Sequence, residues 1–336
     1  MNITMNLGRN SYDIIVERGL LDHLEEHIDA KHKIMIITDS GVPLQYIDRL
    51  LAQFPNALVY VAKQGEQAKS FPVLEDICRT LLKHRFSRKD LIIALGGGVV
   101  GDLAGFCAAC YMRGIAFIQI PTTTLAQIDS SIGGKVAINL AGIKNSVGAF
   151  YQPKKVLIDP NTLATLPKRH YQNGLVEALK AGLIQDTSLF ALFEQGDLEA
   201  NIEAIITKAL LVKKRIVEQD EKEQGQRKLL NFGHTIGHAI ESGYRLSEYY
   251  HGECVAFGML YFISDPKLRE RLRAIYERMG LPNPPHGEAK QWLEIMRNDK
   301  KADGEQVESV WVDEIGKARI QVMHFDELAA LLEKAQ

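Results

Sequence analysis

The stretch Asp90-Leu-Ile-Ile-Ala-Leu-Gly-Gly-Gly-Val-Val-Gly-Asp102 decides the fold of the first half of this chain. Its apolar run, residues 90–95, is typical of a buried parallel strand. Gly96, Gly98 and Gly101 then give the spacing G-x-G-x-x-G at the start of a predicted helix, where free backbone N–H groups favour a pyrophosphate. The motif alone is weak, because an ordinary strand-to-helix turn explains three glycines about as often.

Further strand patterns flank this stretch on both sides. Residues 33–38, 57–62 and 116–121 are short apolar runs, and a helix is predicted over 70–84. Strands that alternate with helix-length segments predict a parallel sheet covered on both faces. Residues 2–6 and 11–16 alternate polar and apolar side chains, so they are expected to form an antiparallel pair at the edge of the sheet.

The acidic residues argue against a standard Rossmann arrangement. That fold places a carboxylate about twenty positions after the glycine loop, to bind the adenosine ribose. Here Pro121 occupies that region, and the next carboxylate is Asp129. Acidic residues lie upstream instead, at Asp39 and Glu66. We therefore interpret the loop as a nucleotide-binding loop in a non-standard, Rossmann-like domain.

The pattern changes near Pro167. From there, Leu, Ile and Ala recur at helical spacing, and a short hairpin, residues 309–312 with 318–322, precedes a last helix that begins at Phe325. The prediction is an α/β N-terminal domain, residues 1–167, followed by a mainly α-helical C-terminal domain, residues 168–336.

Composition narrows the class of protein. Hydrophobic residues make up 46% of the chain, charged residues 24%, and the net charge is −2, which provides no field to attract nucleic acid. The longest apolar runs are strand-sized, and the N-terminus shows no secretory signal, so neither a membrane nor export is expected. Cys107 and Cys110 lie in a predicted buried helix and are interpreted as buried thiols, which fits a cytoplasmic location.

Histidines indicate a metal site in the second half. In Asn231-Phe-Gly-His-Thr-Ile-Gly-His238, two imidazoles are four residues apart and share one helical face. His251 follows, and Glu177 lies upstream on one helical face with Lys180. Two or three imidazoles and one carboxylate are the ligand set of a catalytic zinc with an open position. The spacing leaves open which histidines bind the metal, and each alone is as easily an ordinary core or surface residue.

Residues 113–153 contain many polar groups next to glycines. Lys135 follows two glycines, and Lys144 precedes Asn145 in a stretch bounded by glycines. Lysines on flexible backbone near a helix N-terminus suit a phosphate or carboxylate substrate, although a solvated surface stretch is the ordinary alternative.

Several motifs in combination resemble those of the 3-dehydroquinate synthase family. The resemblance extends from about residue 33 to about residue 322, with the motifs in the family's order and at compatible spacing. The motifs are Gly96–Asp102, Gln127–Lys135, Lys144-Asn145, Gly174–Lys180, Leu230–Glu241 and His251-Gly-Glu253.

The resemblance implies a homodimeric, cytoplasmic enzyme of the shikimate pathway, a carbon–oxygen lyase that requires NAD+ and one divalent metal, zinc or cobalt. Its sugar-phosphate substrate is 3-deoxy-D-arabino-heptulosonate 7-phosphate, and its products are 3-dehydroquinate and phosphate. The implied chemistry is transient oxidation at C5, phosphate elimination, re-reduction, ring opening and an intramolecular aldol reaction.

The same resemblance assigns residue roles. It implies that Glu177, His234 and His251 bind the metal, whereas His238 faces the substrate. The other implied catalytic or substrate-binding residues are Lys135, Lys180, Asn145, Arg227, Asn231, Arg113 (in the neighbouring subunit's site) and Lys300 or Lys301. The implied cofactor-binding residues are Asp39, Gly65, Glu66, Lys69, Gly97, Gly98, Val99, Val100, Gly101, Asp102, Thr122, Thr123, Asp129, Lys135, Lys144, Thr162, Leu163 and Thr165.

The chain departs from the family pattern at peripheral positions: Gly41, Thr124, Val136-Ala137 and a shortened segment after residue 260. Three other functions compete with the synthase. Another sugar-phosphate cyclase would share most of these motifs, a metal-dependent polyol dehydrogenase would release NADH, and a metal-stabilised binding module would need no catalytic groups.

Overall fold

The computed structural model describes residues 1–244, 248–284, 289–299 and 306–334. The chain divides into two compact units, Met1–Pro167 and Lys168–Gln336.

The first unit is built on a seven-stranded sheet in the order β1-β2-β9-β6-β5-β3-β4. Every pair in it is parallel except β1 with β2, so the predicted parallel sheet is confirmed. The strands are β1 (Asn2–Met5), β2 (Tyr12–Val16), β3 (Ile34–Asp39), β4 (Leu58–Ala62), β5 (Leu91–Gly96), β6 (Ala116–Pro121) and β9 (Lys155–Ile158). The helices are α1 (Leu44–Gln53), α2 (Phe71–Lys83) and α3 (Gly98–Cys110).

Apolar side chains cover both faces of this sheet. Alternate residues of β3 and β5 point to opposite sides: Met35 and Ile92 join a cluster with α2 and α3, whereas Ile36 and Ile93 join a cluster with α1. Because both faces are buried, these strands need continuous apolar runs, which is why the sequence revealed them.

The antiparallel pair β1 and β2 forms one edge of the sheet, as predicted. β2 also pairs in parallel with β9, a four-residue strand that the sequence analysis missed. Cys110 is a second correction: it is exposed, whereas Cys107 is buried. Cys110 ends α3, where the helix leaves the core.

The polar stretch after residue 130 is a hairpin, not a flexible loop near a helix N-terminus. β7 (Lys135–Leu140) pairs with β8 (Ile143–Phe150). Ala141 and Gly142 connect the strands with φ of 52° and 81°, the left-handed pair that a tight hairpin turn requires. Val136 and Ile138 are buried on the side that packs on α3, which gives the hairpin its apolar face.

The second unit is mainly helical. Its hairpin, β10 (Gln306–Glu314) with β11 (Lys317–His324), and a last helix beginning at Phe325 are as predicted. Within the described residues, no helix is both long and apolar enough to cross a membrane. The helices are α4 (Lys168–Gln185), α5 (Thr187–Gln195), α6 (Ile202–Gln219), α7 (His234–Gly243), α8 (His251–Tyr261), α9 (Pro266–Met279), α10 (Ala289–Asp299) and α11 (Phe325–Lys334).

Candidate metal centre and nucleotide-binding edge

Three helices of the second unit bring the predicted metal ligands together. Glu177 lies in the middle of α4, His234 is the first residue of α7, and His251 is the first residue of α8. The Nε2 atoms of His234 and His251 lie 3.9 and 3.6 Å from Glu177 Oε1. One candidate ligand atom from each residue lies within 4.8 Å of the other two.

Glycines allow these helices to approach one another closely. A Cβ atom on Gly258 of α8 would overlap the carbonyl oxygen of Gly233, the residue before α7, and one on Gly237 would lie 2.9 Å from the Cys254 carbonyl oxygen. A Cβ on Gly252 would overlap the carbonyl oxygen of Asn173 on α4. The separation of the ligands is therefore set by backbone contacts between helices.

Hydrogen bonds to the other ring nitrogens orient both imidazoles. His234 Nδ1 lies 3.1 Å from the Phe232 carbonyl oxygen, and His251 Nδ1 lies 3.3 Å from Glu241 Oε2. In the neutral form of each ring, if Nδ1–H donates to its oxygen, Nε2 carries the lone pair that faces Glu177. Such outer partners fix the tautomer and the ring orientation of metal-binding histidines.

Glu177 is suited to hold a cation. Its side chain is 2% exposed, it is in ion-pair contact with Lys180, and neither carboxylate oxygen accepts a hydrogen bond of good geometry from the described residues. A buried carboxylate costs free energy unless it is paired or coordinates a metal. Two imidazole nitrogens and one such carboxylate fit a divalent cation with an open coordination position.

Electrostatics set the protonation of the three groups differently. Burial alone would raise the pKa of Glu177, but the Lys180 ammonium and the two imidazoles lower that pKa well below its usual range. Burial, helped by Lys180, lowers the pKa of His234 well below 6.5. Burial opposes the charge on His251, but the carboxylates of Glu177 and Glu241 outweigh it and raise its pKa to about 9. Only His251 must lose a proton to bind a metal at neutral pH.

His238 lies one turn after His234 on α7 and is exposed. Its ring centroid is 5.1 Å from that of His234 and 5.8 Å from that of His251. His238, Glu241 and His251 form a second group whose candidate ligand atoms lie within 4.8 Å of one another. The group with His238 is more open to water. A metal bound there would also disrupt the contact of Glu241 with His251 Nδ1. The group with Glu177 is therefore the better cation site.

The remaining predicted residues of the second unit lie in different surroundings. Arg227 is 1% exposed and its guanidinium donates to the Glu221 carbonyl oxygen, whereas Asn231 is exposed and donates to Glu223 Oε1 at 3.1 Å. Lys300 and Lys301 lie outside the described residues.

In the first unit, most of the predicted cofactor residues lie at one edge of the sheet. Asp39 ends β3, Gly65 and Glu66 follow β4, the glycine loop follows β5, Thr122 follows β6, and Thr162 follows β9. These are the carboxyl ends of parallel strands, where ligands of open α/β sheets bind. The structure therefore collects side chains from five segments at the edge that suits a dinucleotide.

The glycine loop is closely enclosed. A Cβ on Gly97 would lie 3.0 Å from Thr123 Cγ2, one on Gly98 would lie 3.0 Å from Ser130 Oγ, and one on Gly101 would lie 2.6 Å from Gln119 Oε1. The contact at Gly101 is the close helix–strand packing that the third glycine of such a loop permits. The buried Ser130 hydroxyl lacks a hydrogen-bond partner among the described residues, so it is available to a phosphate.

Lys69 links the cofactor residues to the β7–β8 hairpin. Its buried Nζ lies 2.7 Å from Asp102 Oδ2 and 3.4 Å from Glu66 Oε1, and it also contacts Asn145 Oδ1. Burial opposes the charge, but Asp102 and Glu66 raise the pKa of Lys69 above its usual value. The structure thus brings Asn145 into contact with one of the predicted cofactor-binding residues.

The other predicted residues of the first unit are more exposed. Lys135 begins β7, Lys144 lies on β8, and Arg113 follows α3 with φ of 65°; all three are exposed. Asp129 is partly buried in a turn of π-helix, Ala126–Ser130. Leu163 is buried, and Thr165 is exposed.

Sequence reasoning missed two polar residues that organise these sites. Gln127 is buried, and its Nε2 donates to the carbonyl oxygens of Pro121 and Asp159 and to Thr162 Oγ1, so it joins the segments after β6 and β9. Glu241, the partner of His251, is seven residues after His234 and shares its helical face, and that spacing was the available signal.

The fold and the site together define a class: an α/β unit with a glycine loop, and a helical unit with a histidine–carboxylate cluster, built like the sugar-phosphate cyclases. A 2-deoxy-scyllo-inosose synthase solved with carbaglucose-6-phosphate, NAD+ and Co2+ shares this fold, with a TM-score of 0.89 at 24% identity, covering 99% of this chain and 100% of its own. A 2-epi-5-epi-valiolone synthase from Streptomyces hygroscopicus subsp. jinggangensis, solved with NAD+ and Zn2+, also shares the fold. Its TM-score is 0.86 at 26% identity, and the match covers 96% of each chain.

Sequence comparison is more specific. Family models described as 3-dehydroquinate synthase N-terminal and C-terminal match residues 59–173 and 174–302. The 3-dehydroquinate synthase of Clostridium acetobutylicum is 42% identical over 346 aligned residues, which cover 97% of each chain. The chain belongs to the 3-dehydroquinate synthase family.

Proposed function

We propose that this protein is a 3-dehydroquinate synthase, a phosphate-eliminating lyase that converts 3-deoxy-D-arabino-heptulosonate 7-phosphate to 3-dehydroquinate and phosphate. The convergence of two imidazole Nε2 atoms on the buried Glu177 carboxylate carries this proposal, because it provides the metal site that the chemistry requires in a chain of this family.

Glu177, His234 and His251 would hold one divalent cation, zinc or cobalt, which supplies Lewis-acid polarisation of a substrate hydroxyl. Lys180 keeps Glu177 ionised, and Glu241 holds the His251 ring in place. The exposed imidazole of His238, one helical turn from His234, would exchange a proton with a substrate bound beside the cluster; its ring centroid, 5.1 Å from that of His234, supports this role.

The residues at the carboxyl edge of the sheet would hold NAD+, which would supply reversible hydride transfer. The glycine loop would admit the pyrophosphate to the N-terminus of α3. The ion pair of Lys69 with Asp102 joins the segment after β4 to the beginning of α3. On this proposal residues 1–167 form the nucleotide-binding domain, and residues 168–336 form the metal- and substrate-binding domain.

Cationic and amide side chains would bind the substrate's carboxylate and phosphate. These are Lys135, Lys144, Asn145, Arg227 and Asn231. We further propose a cytoplasmic homodimer in which Arg113 reaches the partner's substrate. The exposure of Arg113 in the turn after α3 supports this role, since its guanidinium is accessible at the surface of the chain.

An assay of purified protein with the heptulosonate phosphate, NAD+ and zinc tests the proposal. We expect phosphate release equal to 3-dehydroquinate formation, with no net NADH. A different carbocycle in the product would indicate another sugar-phosphate cyclase. NADH accumulation on simple polyols, without phosphate release, would refute the synthase and indicate a polyol dehydrogenase.

A further inference from the structure

We propose that Arg169 and Asn173 are positioning residues that fix His251 opposite Glu177 by holding the first turn of α8 against α4. The inference rests on the proposed metal site and deepens it. Arg169, Asn173 and Glu177 follow one another at four-residue intervals along one face of α4. Their partners are consecutive residues of α8, Glu253, Gly252 and His251, in the reverse order.

We call these three contacts between α4 and α8, Arg169–Glu253, Asn173–Gly252 and Glu177–His251, the ladder. Its first contact is an ion pair. Arg169 Nε donates to Glu253 Oε1 at 2.7 Å, and Nη2 donates to Oε2 at 2.8 Å, so the pair is bidentate. Glu253 is 1% exposed, and its Oε2 also accepts from the Tyr250 N–H at 2.8 Å, which caps the start of α8. One buried carboxylate therefore joins α4 to the capping turn of α8.

The aromatic ring of Tyr250 reinforces this end of the ladder. The Arg169 guanidinium lies 4.3 Å from the ring centroid, and the His170 ring stacks on the same tyrosine at 4.6 Å between centroids. The residue before His251 is thus held by two neighbouring side chains of α4 as well as by the cap.

The second contact is between backbone and side chain. The Gly252 N–H donates to Asn173 Oδ1 at 2.6 Å, and a Cβ on Gly252 would overlap the Asn173 carbonyl oxygen. The two helices therefore touch one residue away from His251. The third contact, Glu177 Oε1 to His251 Nε2 at 3.6 Å, is the one that a metal would bridge.

The consequence concerns affinity for the cation. A ligand held in its binding geometry before the metal arrives loses less conformational entropy on binding. Without the Arg169–Glu253 and Asn173–Gly252 contacts, α8 could move along α4, and the metal itself would have to order His251. Loss of a group that hydrogen-bonds a metal ligand directly lowers metal affinity roughly 10- to 100-fold, and we expect a loss in this range when the contacts that hold the turn carrying His251 are removed.

The chain offers a matched control. Arg271 of α9 forms a bidentate pair with Glu194 of α5 at 2.7 and 3.0 Å, its guanidinium lies 5.3 Å from the Phe190 ring centroid, and its side chain is 47% exposed, as is that of Arg169. None of these residues contacts the candidate metal ligands. Loss of Arg271 removes a bidentate ion pair and a ring contact elsewhere in the same unit, with a carboxylate partner that is 35% exposed instead of 1%.

The experiment measures zinc affinity of the metal-free full chain by competition with a chromophoric chelator, and records the visible spectrum of the Co2+ form. We expect Arg169→Ala and Asn173→Ala to weaken zinc binding roughly 10- to 100-fold and to change the Co2+ spectrum. Arg169→Lys keeps the charge without the bidentate pair, so it should fall between the parent and Arg169→Ala. Arg271→Ala should match the parent in both measurements, whatever its thermal stability.

Two further variants separate the ladder from the metal site itself. Glu177→Ala and His251→Ala should abolish tight zinc binding. If both variants bind zinc as the parent does, the proposed metal site is refuted, and the proposed role of the ladder is refuted with it. If both lose zinc while Arg169→Ala and Asn173→Ala stay within about twofold of the parent, or if Arg271→Ala weakens binding equally, the ladder alone is refuted. If Arg169→Ala does not fold, Arg169→Lys and Asn173→Ala decide between these outcomes.

Discussion

The affinity of the protein for zinc should depend steeply on pH, because one candidate ligand is protonated before the metal binds. The carboxylates of Glu177 and Glu241 raise the pKa of His251 to about 9, against the effect of its burial. Because this pKa is raised, the affinity for zinc should fall as the pH is lowered. Below pH 9 the charged imidazole is the favoured form, and zinc binds only the neutral form, so the proton competes with the metal.

The size of the effect can be worked out from that value. Each pH unit below the pKa should lower the apparent affinity about tenfold, or about 1.4 kcal/mol, so the loss between pH 8 and pH 6 is roughly 100-fold. Glu177, with its pKa well below the usual range, stays ionised across this interval, and His234, with its lowered pKa, stays neutral. One proton, from His251, should therefore account for the whole slope.

Chelator competition at half-unit steps of pH measures the slope, and calorimetry in buffers of different ionisation enthalpy counts the protons released per zinc. Glu241→Gln is the informative variant, because it removes one of the two carboxylates that raise the His251 pKa. Its slope should flatten in the upper part of the range. A parent affinity that does not change between pH 6 and pH 8 would refute the reasoning, and release of two protons would show that a second ligand is protonated.

Three further outcomes are expected. His251→Ala should lose metal and activity together, whereas His238→Ala should keep the metal, as measured by metal analysis, and lose mainly turnover; loss of zinc from the second variant would contradict the ligand assignment. Gly258→Ala should lower the unfolding free energy by about 1–3 kcal/mol in chemical denaturation, because its Cβ would overlap the Gly233 carbonyl oxygen. Gly243→Ala should be tolerated, because its Cβ would meet the ends of two side chains, Ile295 Cδ1 at 3.3 Å and Gln291 Nε2 at 3.9 Å. Lys69→Met should lower the unfolding free energy by about 3 kcal/mol and weaken NAD+ binding in a fluorescence titration, because it leaves Asp102 without its buried partner. The control is Lys31→Met, which breaks an exposed pair with Asp29. If Lys69→Met costs no more than this control, the Lys69–Asp102 ion pair does not stabilise the fold.

Much of the fold could be predicted because its signals are local. The glycine loop between β5 and α3 and the continuous apolar run of β3 follow from burial on both faces of the sheet, which leaves its pattern in consecutive residues. The β7–β8 hairpin could not be predicted in this way. Its turn is Ala141-Gly142 and not one of the common Asn-Gly or Asp-Gly pairs, so the required positive φ at residue 141 has no signature in the sequence.

The candidate site likewise has residues that the sequence indicates and residues that only the structure identifies. Residue types alone indicate a metal site made of Glu177 and two or three of the histidines 234, 238 and 251, since few other combinations supply such a ligand set. The choice of His234 and His251 over His238 came from the family resemblance. The residues that orient them are separated from their partners by long stretches of chain: Arg169 and Glu253 by 84 positions, and Asn173 and Gly252 by 79. Arginine, asparagine and glycine are common in any helix-rich chain, so only the packing of α8 on α4 gives these three a role.

That packing explains why the site can be rigid although it is assembled from three helices. α4 supplies one ligand and holds a second through the contacts at Gly252 and Glu253, while α7 meets α8 at Gly258 and Gly237. At the glycine contacts backbone lies against backbone, and the rotamers of long side chains cannot change the separation there. A substitution that adds a single methyl group at one of them should therefore disturb the ligands more than the loss of a whole side chain such as His238 at the exposed rim.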